Sequence, residues 1–429
     1  MAALGALAVS GPWSRPVLTG DGQAVAPAGG PALTPAPPRH SALPPLPPGA
    51  PSHFAFGLSN NDASQLPAGV PLDFRYAYFC GGVNTAHNWA TWNPGGAFAD
   101  NFIAESRARG MIPVAIYYQI LQSGPSFDEF ANLQNAATMR AYYDDFALLM
   151  RKAGADGGTV YVAIEPDLAG FMQQRSAAAD DASLQPTAVA ASGHPDVQGY
   201  PDTFRGFYQA LAHLRDLYAP NVSLGLDVSS WAADDDVLLE RDQAYDWQKH
   251  AARTAQYLNS LGPGYQLLFF SPLDRDAAYY ELTQGQNRWW DDTNQTLPNF
   301  DRAAEWMGRV MSLTNKRALM WQVPVGNRVY RSQDNTPGHY QDNRAEYFLN
   351  PSTGRAHVKQ WLERGFIGMM FGAGREDQTN QWDNRKDGVT NPAPINANEA
   401  TATHADDDGG YLRQQIGAYY EAGPIALPR

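Results

Sequence analysis

The chain has 429 residues, 44% hydrophobic and 12% aromatic, enough for one large domain or two ordinary ones with a sizeable core. Its formal charge of −13 argues against a nucleic-acid partner, since phosphate binding needs a basic surface, and no run approaches the ~18 apolar residues of a membrane span. A lone Cys80 excludes internal disulfides and any multi-cysteine metal site.

Residues 1–26 read as a signal-like or disordered start. Ala2–Val9 is a run of small apolar residues, and Ala24-Val25-Ala26 fits a cleavage site. Residues 27–52 form a proline-rich linker with too little apolar content to fold. Such spacers suit an exported protein, so the expected location is extracellular. A single domain is expected from His53 to the end, residues 53–429.

From Phe54 onward, short apolar runs alternate with amphipathic segments. The expected strands are Phe54–Leu58, Phe74–Phe79, Ile112–Tyr117, Val160–Ile164, Val222–Leu226, Leu267–Phe270, Ala318–Val323 and Phe366–Phe371. The expected helices are Ala97–Arg109, Thr138–Ala153, Thr203–Tyr218, Ala244–Leu261, Phe300–Thr314 and Arg355–Arg364. Gly110, Gly262 and Gly365 stand where helix C-termini want glycine. This alternation predicts a (β/α)8 TIM-type barrel, with a doubly wound open sheet as the alternative. No glycine-rich phosphate loop follows the first strand, so nothing supports a dinucleotide site. The loops after the strands are long, which places function on that rim.

The stretch Gly158–Phe171, GTVYVAIEPDLAGF, runs from a buried strand straight into two carboxylates. Pro166 should end the ladder and hold Glu165 extended, with Tyr161, Ala163 and Glu165 on one face. A carboxylate at such a strand end is costly unless it works or is paired. Glu165 is therefore expected to be functional, the alternative being an ion pair with an arginine. Asp227 ends the fifth strand in the same way, with Trp231 beyond it. Asp234–Asp236 read as a solvated loop, and Asp274 and Asp276 follow the sixth strand. Glu376 and Asp377 sit in a glycine-rich turn after the eighth.

The other strand ends deliver Asn84, His87 and Asn88, then Tyr117, Tyr118 and Gln119, then Gln322 and Asn327. Trp89, Trp92, Trp231, Trp289, Trp290 and Trp382 lie in the long loops. Carboxylates and amides bind hydroxyls, aromatic faces cover pyranose rings, and paired acids cleave glycosides. No HExxH or GxSxG motif occurs and the nine histidines are scattered, so neither a catalytic zinc nor a serine elbow is expected. Calcium at Asp234–Asp236 or at Asp274 and Asp276 is the only metal worth weighing, and neither a metal nor a cofactor is expected.

YVAIEPDLAG (Tyr161–Gly170) resembles the strand-four signature of glycoside hydrolase family 6, the cellobiohydrolases and endoglucanases. LGLDVSSW (Leu224–Trp231) is similar to that family's L-D-A-G-H-x-G-W, and GAGREDQT (Gly372–Thr379) to its late acidic turn. Together they cover about a tenth of the chain. The resemblance implies a carbohydrate-active barrel and points to Glu165, Asp167, Asp227, Trp231 and Asp377. Where the family's third strand runs into Y-D-L-P-D-R-D-C, Tyr117–Gln122 carries no acid, and the lysine before the late turn is absent. Family barrels are usually described with seven strands, not eight. Clan A glycosidases are a weaker comparison: Ile164 replaces the asparagine of N-E-P, and Trp321-Gln322-Val323-Pro324 offers no glutamate.

The resulting expectation is an extracellular, monomeric glycoside hydrolase acting on a β-linked polysaccharide such as β-1,4-glucan. Glu165 would be the general acid, with Asp227 or the Glu376/Asp377 pair as base, and the resemblance implies inversion. Substrate contacts are expected from Asp167, Trp231, Trp89, Trp92, His87, Asn88, Tyr117, Gln119, Gln322 and Trp382. The alternatives are a carbohydrate-binding barrel without catalysis and a surface structural barrel.

Overall fold

A computed structural model describes residues 43–60, 62–67, 69–176, 179–372, 378–393 and 397–428. Eight parallel strands close into a barrel in sequence order: β1 (Ala55–Ser59), β2 (Phe74–Phe79), β3 (Ile112–Tyr117), β4 (Val160–Ile164), β5 (Val222–Val228), β6 (Leu267–Phe270), β7 (Arg317–Val323) and β8 (Phe366–Phe371). β8 pairs back onto β1 through Ala55 opposite Gly368. The open-sheet alternative is thereby excluded.

Register decides which side chains fill the interior. Tyr76 lies beside Val114, Val114 beside Tyr161 and Tyr161 beside Ser223, so this parity points inward around half the barrel. The Tyr76 hydroxyl donates across the interior to the Gly372 carbonyl at 3.0 Å. Glycine makes room for the large rings: a Cβ on Gly225 would meet the Phe269 ring at 2.3 Å.

The outer helices carry apolar stripes at helical spacing. In Phe300–Thr314, residues Ala303, Ala304, Met307, Val310, Met311 and Thr314 are buried. Side chains start these helices by taking up free backbone N–H groups: Thr203 accepts from Gly206 N and Asn299 from Arg302 N. Gly110, Gly262 and Gly365 follow helix ends with φ of 74°, 104° and 121°. Short helices within the long loops were not expected, among them Glu129–Gln134, Leu168–Arg175 and Ala277–Gln284.

The compact unit begins at Leu43 rather than near His53. The end of the proline-rich stretch packs at the N-terminal end of the barrel. Arg317 Nε donates to the Pro44 carbonyl at 2.6 Å, and the Tyr161 hydroxyl donates to that of Pro48 at 3.2 Å. Prolines lack a backbone donor but keep the carbonyl, and here those carbonyls satisfy buried donors at the foot of the barrel.

Candidate active site

β4 hands over to the next helix through two residues in the left-handed region, Glu165 at φ 42° and Asp167 at φ 68°. Glu165 is thus not extended as Pro166 suggested, and non-glycine residues in this region carry a strain of order 1–3 kcal/mol. Its backbone N–H donates to the Tyr117 carbonyl at 2.8 Å. Its carboxylate accepts from Gln119 N at 3.0 Å and from Ile120 N at 3.2 Å, beneath the loop after β3. The side chain is buried, and burial pushes its pKa up to about 8 against the opposing pull of the Tyr142 phenol and those N–H groups. Its partners are backbone amides, not the arginine of the ion-pair alternative.

Asp167, half-buried, opens the helix Leu168–Arg175 at the mouth. Its backbone N–H donates to Asp227 Oδ1 at 3.3 Å, and the Trp321 indole donates to Asp227 Oδ2 at 3.1 Å. Both carboxyls are held above the ordinary carboxylate range. Burial is the main cause for each, and for Asp167 the charges of Asp227, Asp274 and Glu129 add to it. The two N–H bonds to Asp227 favour its charged form and so oppose the effect of burial there.

Asp274, after β6, is braced by Arg275 and Tyr280, and its charge reaches both Asp167 and Tyr78. Gln322, at φ 51°, joins the same mouth: it donates to the Tyr78 hydroxyl and accepts from Ser271 Oγ at 3.2 Å. The segment after β3 has no acid through Gln122, but Glu129, in the helix beyond, comes within electrostatic reach of Asp167.

Four expected substrate contacts, Asn88, Trp89, Tyr117 and Gln119, are buried and bonded within the scaffold. Asp145 collects the Trp89 indole at 2.8 Å, the Asn88 amide at 2.9 Å and the Tyr117 hydroxyl at 2.6 Å. Gln119 is buried, with Nε2 on the Phe79 carbonyl. Trp92 is half-buried against Phe98, its indole donating to the carbonyl of exposed His87. Trp290 is buried with its indole on Leu238 O, Trp289 donates to Glu281, and Trp382 is half-buried.

Trp231 lies beside the mouth with its ring 4.8 Å from that of Phe171. Asp236 is not solvated as expected: it accepts from Ser230 Oγ and Leu238 N, while Asp234 and Asp235 are exposed. Asp276 is buried and ties down the backbones of Gly326 and Thr379. Glu376 and Asp377 lie outside the described residues. Among the described residues, no group of three or more His, Cys, Asp or Glu is placed to hold a metal ion.

Sequence reasoning passed over Tyr78 and Trp321 as site residues. Strand parity was the available signal, because Phe74, Tyr76 and Tyr78 share a face, as do Arg317, Leu319 and Trp321. Asp167, expected as a substrate contact, is delivered to the mouth by the left-handed turn.

No protein-family profile and no curated protein matches the chain. Solved structures do. Endoglucanase CEL6B from Humicola insolens is 16% identical, with a TM-score of 0.32 over 52% of this chain. The match spans 60% of that enzyme's chain. A modular endo-β-1,4-mannanase of glycoside hydrolase family 26 from Cellulomonas fimi is 11% identical, with a TM-score of 0.44 over 86% of this chain and 70% of that one. The β-glycosidase BGL167 is 10% identical, with a TM-score of 0.47 over 88% of this chain and 99% of that one. These structural neighbours are glycoside hydrolases by name, and their likeness to this chain is one of overall form.

Proposed function

We propose that the protein is an exported glycoside hydrolase that cleaves a β-linked polysaccharide, with Asp167 rather than Glu165 as general acid. The observation that carries this reading is the Asp167–Asp227 pair at the C-terminal mouth of the barrel, both carboxyls held above the ordinary range. A glycosidase acid must keep its proton near neutral pH, and burial beside a second acid achieves that.

Asp227 acts through Asp167, since its charge makes deprotonation of the neighbour less favourable. Asp274, whose charge reaches Asp167, is the base that activates a water. That division of labour is the inverting one, in which acid and base stand on either side of the scissile bond. Tyr78, Gln322 and Ser271 supply hydroxyl and amide contacts to a sugar. Glu165 is a positioning residue that fixes the loop after β3 against the end of β4.

The test is release of reducing ends from β-1,4-glucan, mannan and xylan, with the first-formed anomer read by NMR. Turnover of at least one polymer, lost in Asp167→Asn, is the expected result. Binding without turnover by the wild-type chain would instead favour the carbohydrate-binding barrel.

A further inference from the structure

A cavity of about 400 Å³ lies among the segments that follow β4 and β5, lined in part by Gln174, Asp234, Asp235 and Arg253. That volume falls within the ~300–1,000 Å³ typical of small-molecule sites. Its walls are pre-formed. Arg253 donates to the Ala233 carbonyl and, at 2.9 Å, to buried Asp180, which also accepts from Gln173 at 2.9 Å. Gln174 donates to the Trp231 carbonyl at 3.1 Å.

The helix Leu168–Arg175 connects this cavity to the acid pair. Phe171 and Gln174 stand at i and i+3, hence on one helical face, and Asp167 caps the start of the same helix. Seven residues of helix span ~10 Å, a length that a short oligosaccharide covers. Between the ends lies the Phe171–Trp231 contact. Gly170 keeps the helix close to the β5 loop, since a Cβ there would meet Ser229 Oγ at 2.6 Å and Trp231 at 2.9 Å. The track therefore runs from carboxylic acid, past two aromatic rings, to a cavity of amide and carboxylate groups.

We infer that this cavity is a distal sugar subsite that binds a pyranose unit of the chain being cleaved, through its hydroxyls. The inference rests on the glycosidase reading above. Asp234 and Asp235 are exposed acceptors, and the Gln174 amide oxygen adds a third. The subsite makes the enzyme prefer long substrates, because a monosaccharide glycoside held at the acid pair does not reach it.

The test compares the wild-type chain with the double variant Asp234→Ala/Asp235→Ala on cellohexaose, mannohexaose and 4-nitrophenyl β-glucoside. On the hexaose that is cleaved, kcat/KM should fall about tenfold, the scale of one or two lost hydrogen bonds, with the aryl glycoside unchanged. Calorimetry of the same hexaoses with Asp167→Asn, with and without the two alanines, should show a similar loss of affinity. An equal loss on short and long substrates, or no loss of hexaose affinity, overturns the subsite. If no substrate turns over but hexaose affinity still depends on Asp234 and Asp235, the subsite stands and the hydrolase reading falls.

Discussion

Asp227 accepts the backbone N–H of Asp167 at 3.3 Å, so the main chain that presents one acid also anchors the other. The arrangement separates their tasks. Asp167→Asn removes the transferable proton and should lower kcat by about 10²–10⁴ with oligosaccharide binding near normal. Asp227→Asn removes a like charge from beside Asp167, so the Asp167 pKa should fall. The basic limb of the kcat/KM profile should then move to lower pH, read directly from pH–rate curves.

Trp321 gives a second handle on the pair, through its indole N–H on Asp227 Oδ2 at 3.1 Å. That bond favours the charged carboxylate, so Trp321→Phe should raise the Asp227 pKa. A hydrogen bond to a charged group is worth about 1.5–3 kcal/mol, or about one to two pH units. The titration step of Asp227 should move up by that amount. An NMR titration of the two carboxyls checks the same shift without turnover.

Most of the barrel was legible because strands buried on both faces read as compact apolar runs. β2, β3, β4, β6 and β8 lie where periodicity placed them, and Phe300–Thr314 matches residue for residue. The site was less legible, for a backbone reason. Alternation on β4 continues through Ala163, but the left-handed φ at Glu165 breaks it and turns that carboxylate under Gln119 and Ile120. Asp167, one residue past the proline, takes the place at the mouth. Long-range partners were also invisible. Nothing around Trp89 or Tyr117 announces that both bind Asp145, more than 25 residues further along.

Glu165 should reveal itself in stability rather than in chemistry. Its pKa is about 8 in the folded chain, against about 4.3 for a free glutamate. Between those values the folded state holds a proton that the unfolded state has lost, so stability falls as pH rises through that window. Glu165→Gln cannot ionise, and denaturant midpoints at pH 5 and pH 8 should differ less in the variant than in the wild type. Its kcat should stay above about a tenth of normal. A loss of 10² or more, with the pH dependence of stability unchanged, would return the acid role to Glu165.

The strap at the foot of the barrel makes the last prediction. Arg317 is 1% exposed and donates Nε to Pro44 O and Nη2 to Pro428 O. Tyr161 is buried and donates to Pro48 O. A chain starting at His53 lacks both proline carbonyls, leaving a guanidinium N–H and a phenol without protein acceptors. Each such group costs about 1–3 kcal/mol when it stays buried, less where water reaches it. A chain starting at Leu43 keeps both bonds, so it should melt several degrees above the one starting at His53. Adding Arg317→Met to the shorter chain should recover part of the difference, because an apolar side chain of similar length has no donor to satisfy. Equal melting temperatures for the two starting points would show that the strap contributes nothing to stability.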